Sequence, residues 1–183
     1  MSSAPPLRIT PLSPDQAADF DLVCAVVALI NEVYEVAEEG LWAKGHSRTT
    51  TDDIAALVRA GEIAVAYQDD ELVGCLRVRQ LDTEISEFGM LAAAPKRRGL
   101  GIGRELVRFA EQRGREAGSS TMQLELLVPR EWKHPSKEFL TEWYQRIGYT
   151  AVHTGELADS YPELTPRLIT PCHLITYRKP FHP

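Results

Sequence analysis

The sequence has too few cysteines to be held together by disulfides. Cys24, Cys75 and Cys172 are the only three among 183 residues. An odd, widely spaced set matches neither a disulfide framework nor zinc-ligand spacing, so no metal is expected. Free thiols suit a reducing compartment, and the expected location is cytoplasmic. Long hydrophobic runs are also missing. The longest, Leu22–Ile30, has nine residues, whereas a membrane span needs about 20. It reads as part of a buried helix. The N-terminus has no basic start followed by an apolar stretch, so no secretory signal is expected. Positive charge is not in excess either. Twenty Lys and Arg stand against 26 Asp and Glu, a net charge of −6. Duplex nucleic-acid binders are usually basic, and anionic membrane surfaces attract basic segments. Neither nucleic acid nor membrane is expected as a partner.

What is present fits one globular domain. Apolar residues make up 44% and charged residues 25%, ordinary values for a folded domain. Residues 1–6 read as a loose N-terminus and residues 7–183 as a single domain. Leu7–Leu12 alternates as a first strand. Ser13-Pro14-Asp15 reads as a helix start leading through Leu22–Ile30 towards Tyr34. Residues 35–50 read as loop. A second helix begins near Thr51-Asp52-Asp53 and stops before Gly61. Three strands follow, at 63–67, 72–81 and 85–92, as an antiparallel meander. A helix recurs through Ile102, Leu106, Phe109, Ala110 and Ala117. Then come a strand at 122–128, a helix at 136–146, and strands at 149–153 and 174–179. The order β-α-α-β-β-β-α-β-α-β-β is a mixed α/β arrangement.

The chemistry concentrates at residues 95–104. Gly99, Gly101 and Gly103 lie between a strand and a helix, where the lack of a Cβ allows close approach of a ligand. The first amides of that helix have no internal acceptor, and with the helix dipole they suit an anion such as a pyrophosphate. From Lys96 to Arg115 there are seven cations and two acids, a local field that favours phosphate. A glycine turn followed by a solvated basic helix face is the plain alternative. Two common phosphate motifs fail. No Gly-Lys-Ser/Thr ending exists for a Walker loop. The dinucleotide fingerprint GxGxxG meets Arg104 or Leu106 where its last glycine is required.

The pattern Arg98-x-x-Gly101-x-Gly103, after Leu91-Ala92-Ala93-Ala94-Pro95, resembles the acetyl-CoA signature of the GNAT-type N-acetyltransferases. Trp143-Tyr144-Gln145-Arg146-Ile147-Gly148-Tyr149 resembles that family's later aromatic element. The likeness is good over residues 62–153 and weak over 154–183; residues 1–61 fit only by pattern. It implies an α/β fold with a mixed, mostly antiparallel central sheet, flanking helices and a splayed cofactor-binding strand pair.

The resemblance implies acetyl-CoA as co-substrate and direct attack of an amine on its thioester. The backbone of Met90, Leu91 and Ala92 is then expected to pair with the pantetheine amides. The segment Arg97, Arg98, Gly99, Leu100, Gly101, Ile102, Gly103 and Arg104 is expected to cradle the pyrophosphate. Tyr144 occupies the family's general-acid position; its alternative is a core aromatic. Glu87 is the first candidate base, acting through water, with Glu125 second and His134 and His173 behind. Each of these has a plain alternative as a solvated or hydrogen-bonded residue. Many family members carry Asn where this chain has Lys137, which would then reach a CoA phosphate or lie in solvent.

The acceptor is not named by the sequence. Glu32, Glu35, Glu38 and Glu39, with Glu156, Asp159 and Glu163, suggest acidic walls for a cationic amine, or are simply solvated. Trp42, Trp132 and Tyr161 are candidate lining residues or packing residues. A small-molecule or protein amine is the expected partner. A homodimer is open, since many relatives pair. A non-catalytic acyl-CoA sensor on the same fold is the alternative function, and a nucleotide-binding module without CoA preference a third.

Overall fold

The computed structural model of the protein describes residues 5–182. The expectation of a loose N-terminus therefore falls largely outside the described residues. Seven strands form one sheet in the order β1-β2-β3-β4-β5-β7-β6. Their ranges are β1 Arg8–Pro11, β2 Ile63–Gln68, β3 Glu71–Gln80, β4 Ile85–Ala93, β5 Thr121–Pro129, β6 Thr150–Gly155 and β7 Cys172–Pro180. All pairs are antiparallel except β4 with β5. The mixed, mostly antiparallel sheet expected from the sequence is the one found.

The helices are α1 Phe20–Ala37, α2 Thr51–Arg59, α3 Ile102–Glu116, α4 Pro135–Arg146 and the short α5 Leu157–Ser160. Ser13 does not open α1. It starts a 3-10 turn over Pro14–Ala18, and Asp19 caps α1 by accepting from the Leu22 amide at 3.1 Å. Asp19, three positions ahead of the apolar run, is the capping residue nearer to it. Helix α1 also runs to Ala37, three residues into the expected loop.

The two faces of the sheet are covered separately. On one, α1 and α2 bury Val26, Ile30, Ile54 and Val58 against Ile63, Val65 and Cys75. On the other, α3 and α4 bury Ile102, Leu106 and Tyr144 against Leu76, Phe88 and Leu124. Alternation along β4 and β5 thus sends Phe88 and Leu124 one way and Glu87 and Glu125 the other. Cys75 and Cys172 are buried and Cys24 is half-buried, all as free thiols. Among the described residues no helix is long and apolar enough to cross a membrane.

Candidate active site

The parallel pair β4 and β5 is joined only over residues 85–87 and 121–123. Beyond Glu87 the strands part. The partner on the other side is also interrupted, because Arg77 faces Gly89 and Cys75 faces Ala92. Met90 and Leu91 therefore stand opposite the single residue Leu76, a β-bulge, and Met90 has φ 49. A bulge turns backbone groups out of the ladder and re-aims the strand. Here it leaves the Met90–Leu91 backbone free for a ligand at the point where β4 leaves β5.

A cavity of about 1120 Å³ occupies this opening. At one end lies the turn into α3. Gly99 and Gly101 have φ 84 and 76, and Gly101 is the N-cap of α3. A side chain would strain both positions. The α3 amides consequently open towards the cavity without an intervening Cβ. Arg98 and Arg104 line this end, and Arg97 is tied to Glu71 at 2.6 Å. Such a helix start fits an anion.

Tyr144 reaches the cavity from α4. Its ring is held by Phe88, Trp143 and Tyr149 at centroid distances of 6.1, 5.0 and 6.0 Å. Burial, then the neighbouring Tyr34 phenol, drives its pKa far above the ordinary tyrosine value. It is therefore a phenol, not a phenolate, at neutral pH. Among the described residues its hydroxyl has no hydrogen-bond partner, so its proton is available to a ligand.

Across the cavity the carboxylates are arranged unequally. One Glu87 oxygen accepts twice from Arg79, at 3.2 and 2.8 Å, and the other accepts from Gln123 at 2.8 Å. Gln123 in turn accepts from Arg178 at 2.8 Å. Glu125 accepts only from the Tyr161 hydroxyl, at 2.8 Å. Burial raises the Glu125 pKa, the Tyr161 hydrogen bond opposes it, and the Glu87 charge adds to the rise. Tyr161 is itself pushed up to about 12, by burial and then by Glu125. A half-buried carboxylate with a free oxygen and raised basicity can take a proton.

An anion-binding helix start, an unpaired strand segment and a protonated phenol thus meet in one cavity. The family model of the Acetyltransferase (GNAT) family matches residues 27–149, across all three. The chain belongs to the GNAT acetyltransferase family. Solved GNAT structures share its fold. An aminoglycoside 6'-N-acetyltransferase complexed with coenzyme A superposes with a TM-score of 0.71 at 16% identity, covering 96% of this chain and 98% of the other. A GNAT family acetyltransferase from Elizabethkingia anophelis with acetyl-CoA bound gives 0.64 at 17% identity, covering 96% and 98%. The N-acetylglutamate synthase from Neisseria gonorrhoeae, complexed with coenzyme A and N-acetyl-glutamate, gives 0.63 at 17% identity. That match covers 100% of this chain and 37% of the synthase. No curated protein sequence matches the chain.

Within this GNAT domain most residues singled out from the sequence line the one cavity. They include Glu87, Met90, Leu91, Arg97, Arg98, Gly99, Gly101, Ile102, Gly103, Arg104, Lys137 and Tyr144. Ala92 and Leu100 do not. Ala92 packs into the core at 1% exposure, and Leu100 points to solvent at 55%. Lys137 departs from both expectations. It is not in solvent, and its ammonium is no free phosphate ligand. It is 2% exposed and pairs with Glu38 at 3.1 Å. A phosphate contact would have to break that buried pair. His134 caps α4 by accepting from the Ser136 amide at 3.2 Å, and His173 lies on β7 opposite Val128. Neither lines the cavity.

The acidic walls are not as expected either. Of the seven acids, only Glu32 and Glu38 line the cavity. Burial pushes the Glu38 carboxyl up, but Lys137, Arg48 and a 2.6 Å bond from Trp42 outweigh it and hold it low. Glu156 is paired with Arg130. Trp42 and Tyr161 line the cavity, whereas Trp132 bonds to Thr170 at 3.0 Å and packs on Gly40. Sequence reasoning missed Tyr34, near the end of α1, and His46, Arg48 and Arg167, which come from the two connections with no motif. Among the described residues no three metal-ligating side chains gather.

Proposed function

We propose that the chain transfers an acetyl group from acetyl-CoA to an amine. The observation that carries this reading is Tyr144, protonated and unpartnered, in the cavity where β4 parts from β5. Two solved GNAT relatives hold coenzyme A or acetyl-CoA, which supports the same ligand here. The α3 amides and Arg98 and Arg104 would hold the pyrophosphate. The Met90–Leu91 backbone would pair with the pantetheine arm.

The reaction forms a carbon–nitrogen bond as the thioester carbon–sulfur bond breaks. Tyr144 donates its proton, or a hydrogen bond, to the departing thiolate. The attacking amine must lose a proton. Glu125 is placed for this, directly or through water, because one of its oxygens is free and burial raises its basicity. Glu87, the first candidate from the sequence, has both oxygens engaged. Its role is to position Arg79 and Gln123 beside Glu125.

The test uses the full chain. Acetyl-CoA binding is measured by calorimetry beside ATP, and thiol release is followed across an amine panel. Tyr144→Phe is expected to bind acetyl-CoA as the wild type does and to lose about 100-fold or more in kcat. Failure to bind acetyl-CoA, or full turnover by Tyr144→Phe, overturns the reading.

A further inference from the structure

The wall facing Tyr144 is built from two loops that the sequence left unread. They are bolted together. Trp42 bridges Leu168, the Ala43 amide donates to the Arg167 carbonyl at 2.8 Å, and the Ile169 amide to the Leu41 carbonyl at 3.0 Å. Beneath them Leu41, Leu157, Cys172 and Leu174 form a small core. A wall so fixed can hold groups in defined positions.

Most charges at this end of the cavity are cancelled within the protein. Glu38 is paired with Lys137, Glu87 with Arg79, and Arg77 with Glu62. Asp53, which accepts from the Thr50 amide, Glu125, which accepts from Tyr161, and Glu32 at the exposed rim keep their charge. Two guanidiniums are likewise without an ion-pair partner. Among the described residues Arg48 and Arg167 form no ion pair, and both line the cavity. Arg48 lies over the Tyr34 ring at 5.0 Å. Both act on His46: burial and then Arg167 lower its pKa, Glu38 opposes them, and Arg48 adds to the lowering.

A second, independent observation falls on the same spot. Among the described residues three buried side-chain polar atoms lack any partner, and two of them are His46 Nδ1 and Thr49 Oγ1. Both residues line the cavity on either side of Arg48. Buried polar atoms are rarely left unpaired, and such gaps are commonly closed by a ligand or water. Two guanidiniums without an ion-pair partner, lining one cavity with the residues of two unpaired polar atoms, are matched by a planar anion with several acceptor lone pairs.

We infer that the acceptor is a small amine bearing a carboxylate, which Arg48 and Arg167 bind with help from His46 and Thr49. This rests on the acetyltransferase reading above and names its substrate class. Arg48, Arg167 and Tyr144 line the same cavity, so the carboxylate subsite and the acid open on one space. A free amino acid is the simplest acceptor of this class. Polycationic amines are disfavoured by the same two guanidiniums.

The experiment compares matched acceptors: leucine, phenylalanine, lysine and glutamate against the amines left after loss of the α-carboxylate and against the amino-acid amides. Thiol release gives kcat and KM, and calorimetry on CoA-saturated protein gives acceptor binding without chemistry. At least one carboxylate-bearing acceptor is expected to exceed its α-decarboxylated and amide partners by about tenfold or more in kcat/KM and affinity. Arg48→Ala and Arg167→Ala are each expected to raise its KM by about tenfold with little change in acetyl-CoA affinity. Arg48→Lys should recover part of the loss, since it keeps the charge without the fork. The exposed Arg167 keeps the test open if Arg48→Ala melts early. Equal or better use of the carboxylate-free amines, no acceptor binding to CoA-loaded protein, or an unchanged KM in a folded Arg167→Ala overturns the inference alone. Failure to bind acetyl-CoA would remove the acetyltransferase reading and this inference together.

Discussion

Lys137 Nζ lies 3.1 Å from Glu38 Oε1, and the pair joins α4 to α1 across the wall of the cavity. The two side chains are 3% and 9% exposed. Trp42 donates to the second Glu38 oxygen at 2.6 Å. The pair thus fixes α4, which carries Tyr144, against the loop that carries His46 and Arg48.

Removing one partner leaves a buried charge, so Glu38→Gln is expected to cost about 3–5 kcal/mol. For a domain of this size each kcal/mol lowers Tm by about 2–4 °C. The double variant Glu38→Leu with Lys137→Met should recover most of the loss, because neither charge is then buried alone. Thermal melts of the three proteins check this. A Glu38→Gln melt equal to wild type would show that the pair holds nothing.

The pair also predicts an acid limit. The folded-state pKa of Glu38 is held below its ordinary 4.5. A depressed carboxyl pKa adds stability that is complete above the unfolded value and fades as pH falls through the folded one. Wild-type stability should fall as the pH drops below about 4.5. In Glu38→Leu with Lys137→Met this part of the fall should be absent, as chemical unfolding at pH 3 to 7 would show.

Glu125 and Glu87 predict opposite outcomes for the same change. The Glu125 pKa is raised, so its charged form works against folding above that value. Glu125→Gln is expected to melt no lower than wild type at neutral pH, yet to lose about 100-fold in kcat. Wild-type kcat/KM should rise with pH through a midpoint above 4.5, the ordinary carboxyl value for Glu125. Glu87→Gln removes the charge that pairs with Arg79 and is expected to lower Tm with a smaller loss of kcat. A reversal of the two kinetic losses would return the base to Glu87.

The turn into α3 is limited by backbone, not by space. A Cβ on Gly101 would meet nothing within 4 Å, but φ is 76. Gly101→Ala is expected to cost about 1–2 kcal/mol through the left-handed conformation alone. Acetyl-CoA affinity should fall with it. Gly74 is the reverse case. A Cβ there would stand 2.9 Å from Ile102 Cγ2 and from Leu106 Cδ1. Gly74→Ala should cost about 1–3 kcal/mol by overpacking and displace the start of α3. Melts with and without acetyl-CoA separate the two causes.

Much of this was legible in the chain. The apolar runs Ile63–Tyr67 and Leu72–Leu81, the apolar spacing of Ile102–Ala117 and the helix start near Thr51-Asp52-Asp53 follow local rules, and each produced the element expected. The stop at Gly118 and the turn at Gly101 are dictated by φ, which the residue type announces. The Arg98–Gly103 and Trp143–Tyr149 patterns located the cavity because both ends of it are continuous segments. The charge of the second half of the site was not legible. Seven acids suggested a negative wall, but Lys137 cancels Glu38 from 99 residues away. Glu87 looked free, yet its two partners come from neighbouring strands.

By itself, then, the sequence determined most of the elements, their order and the anion-binding turn, each from residues within a few positions of one another. The mixed sheet and the place of Tyr144 came from the resemblance to the GNAT family. The tertiary structure decided which carboxylate is free, that Lys137 is buried, and that Arg48 and Arg167 face one cavity unpaired. Whether a charge is available depends on the groups folding brings within about 4 Å of it and on the water it loses there. That information lies between distant segments, and only the packed chain contains it.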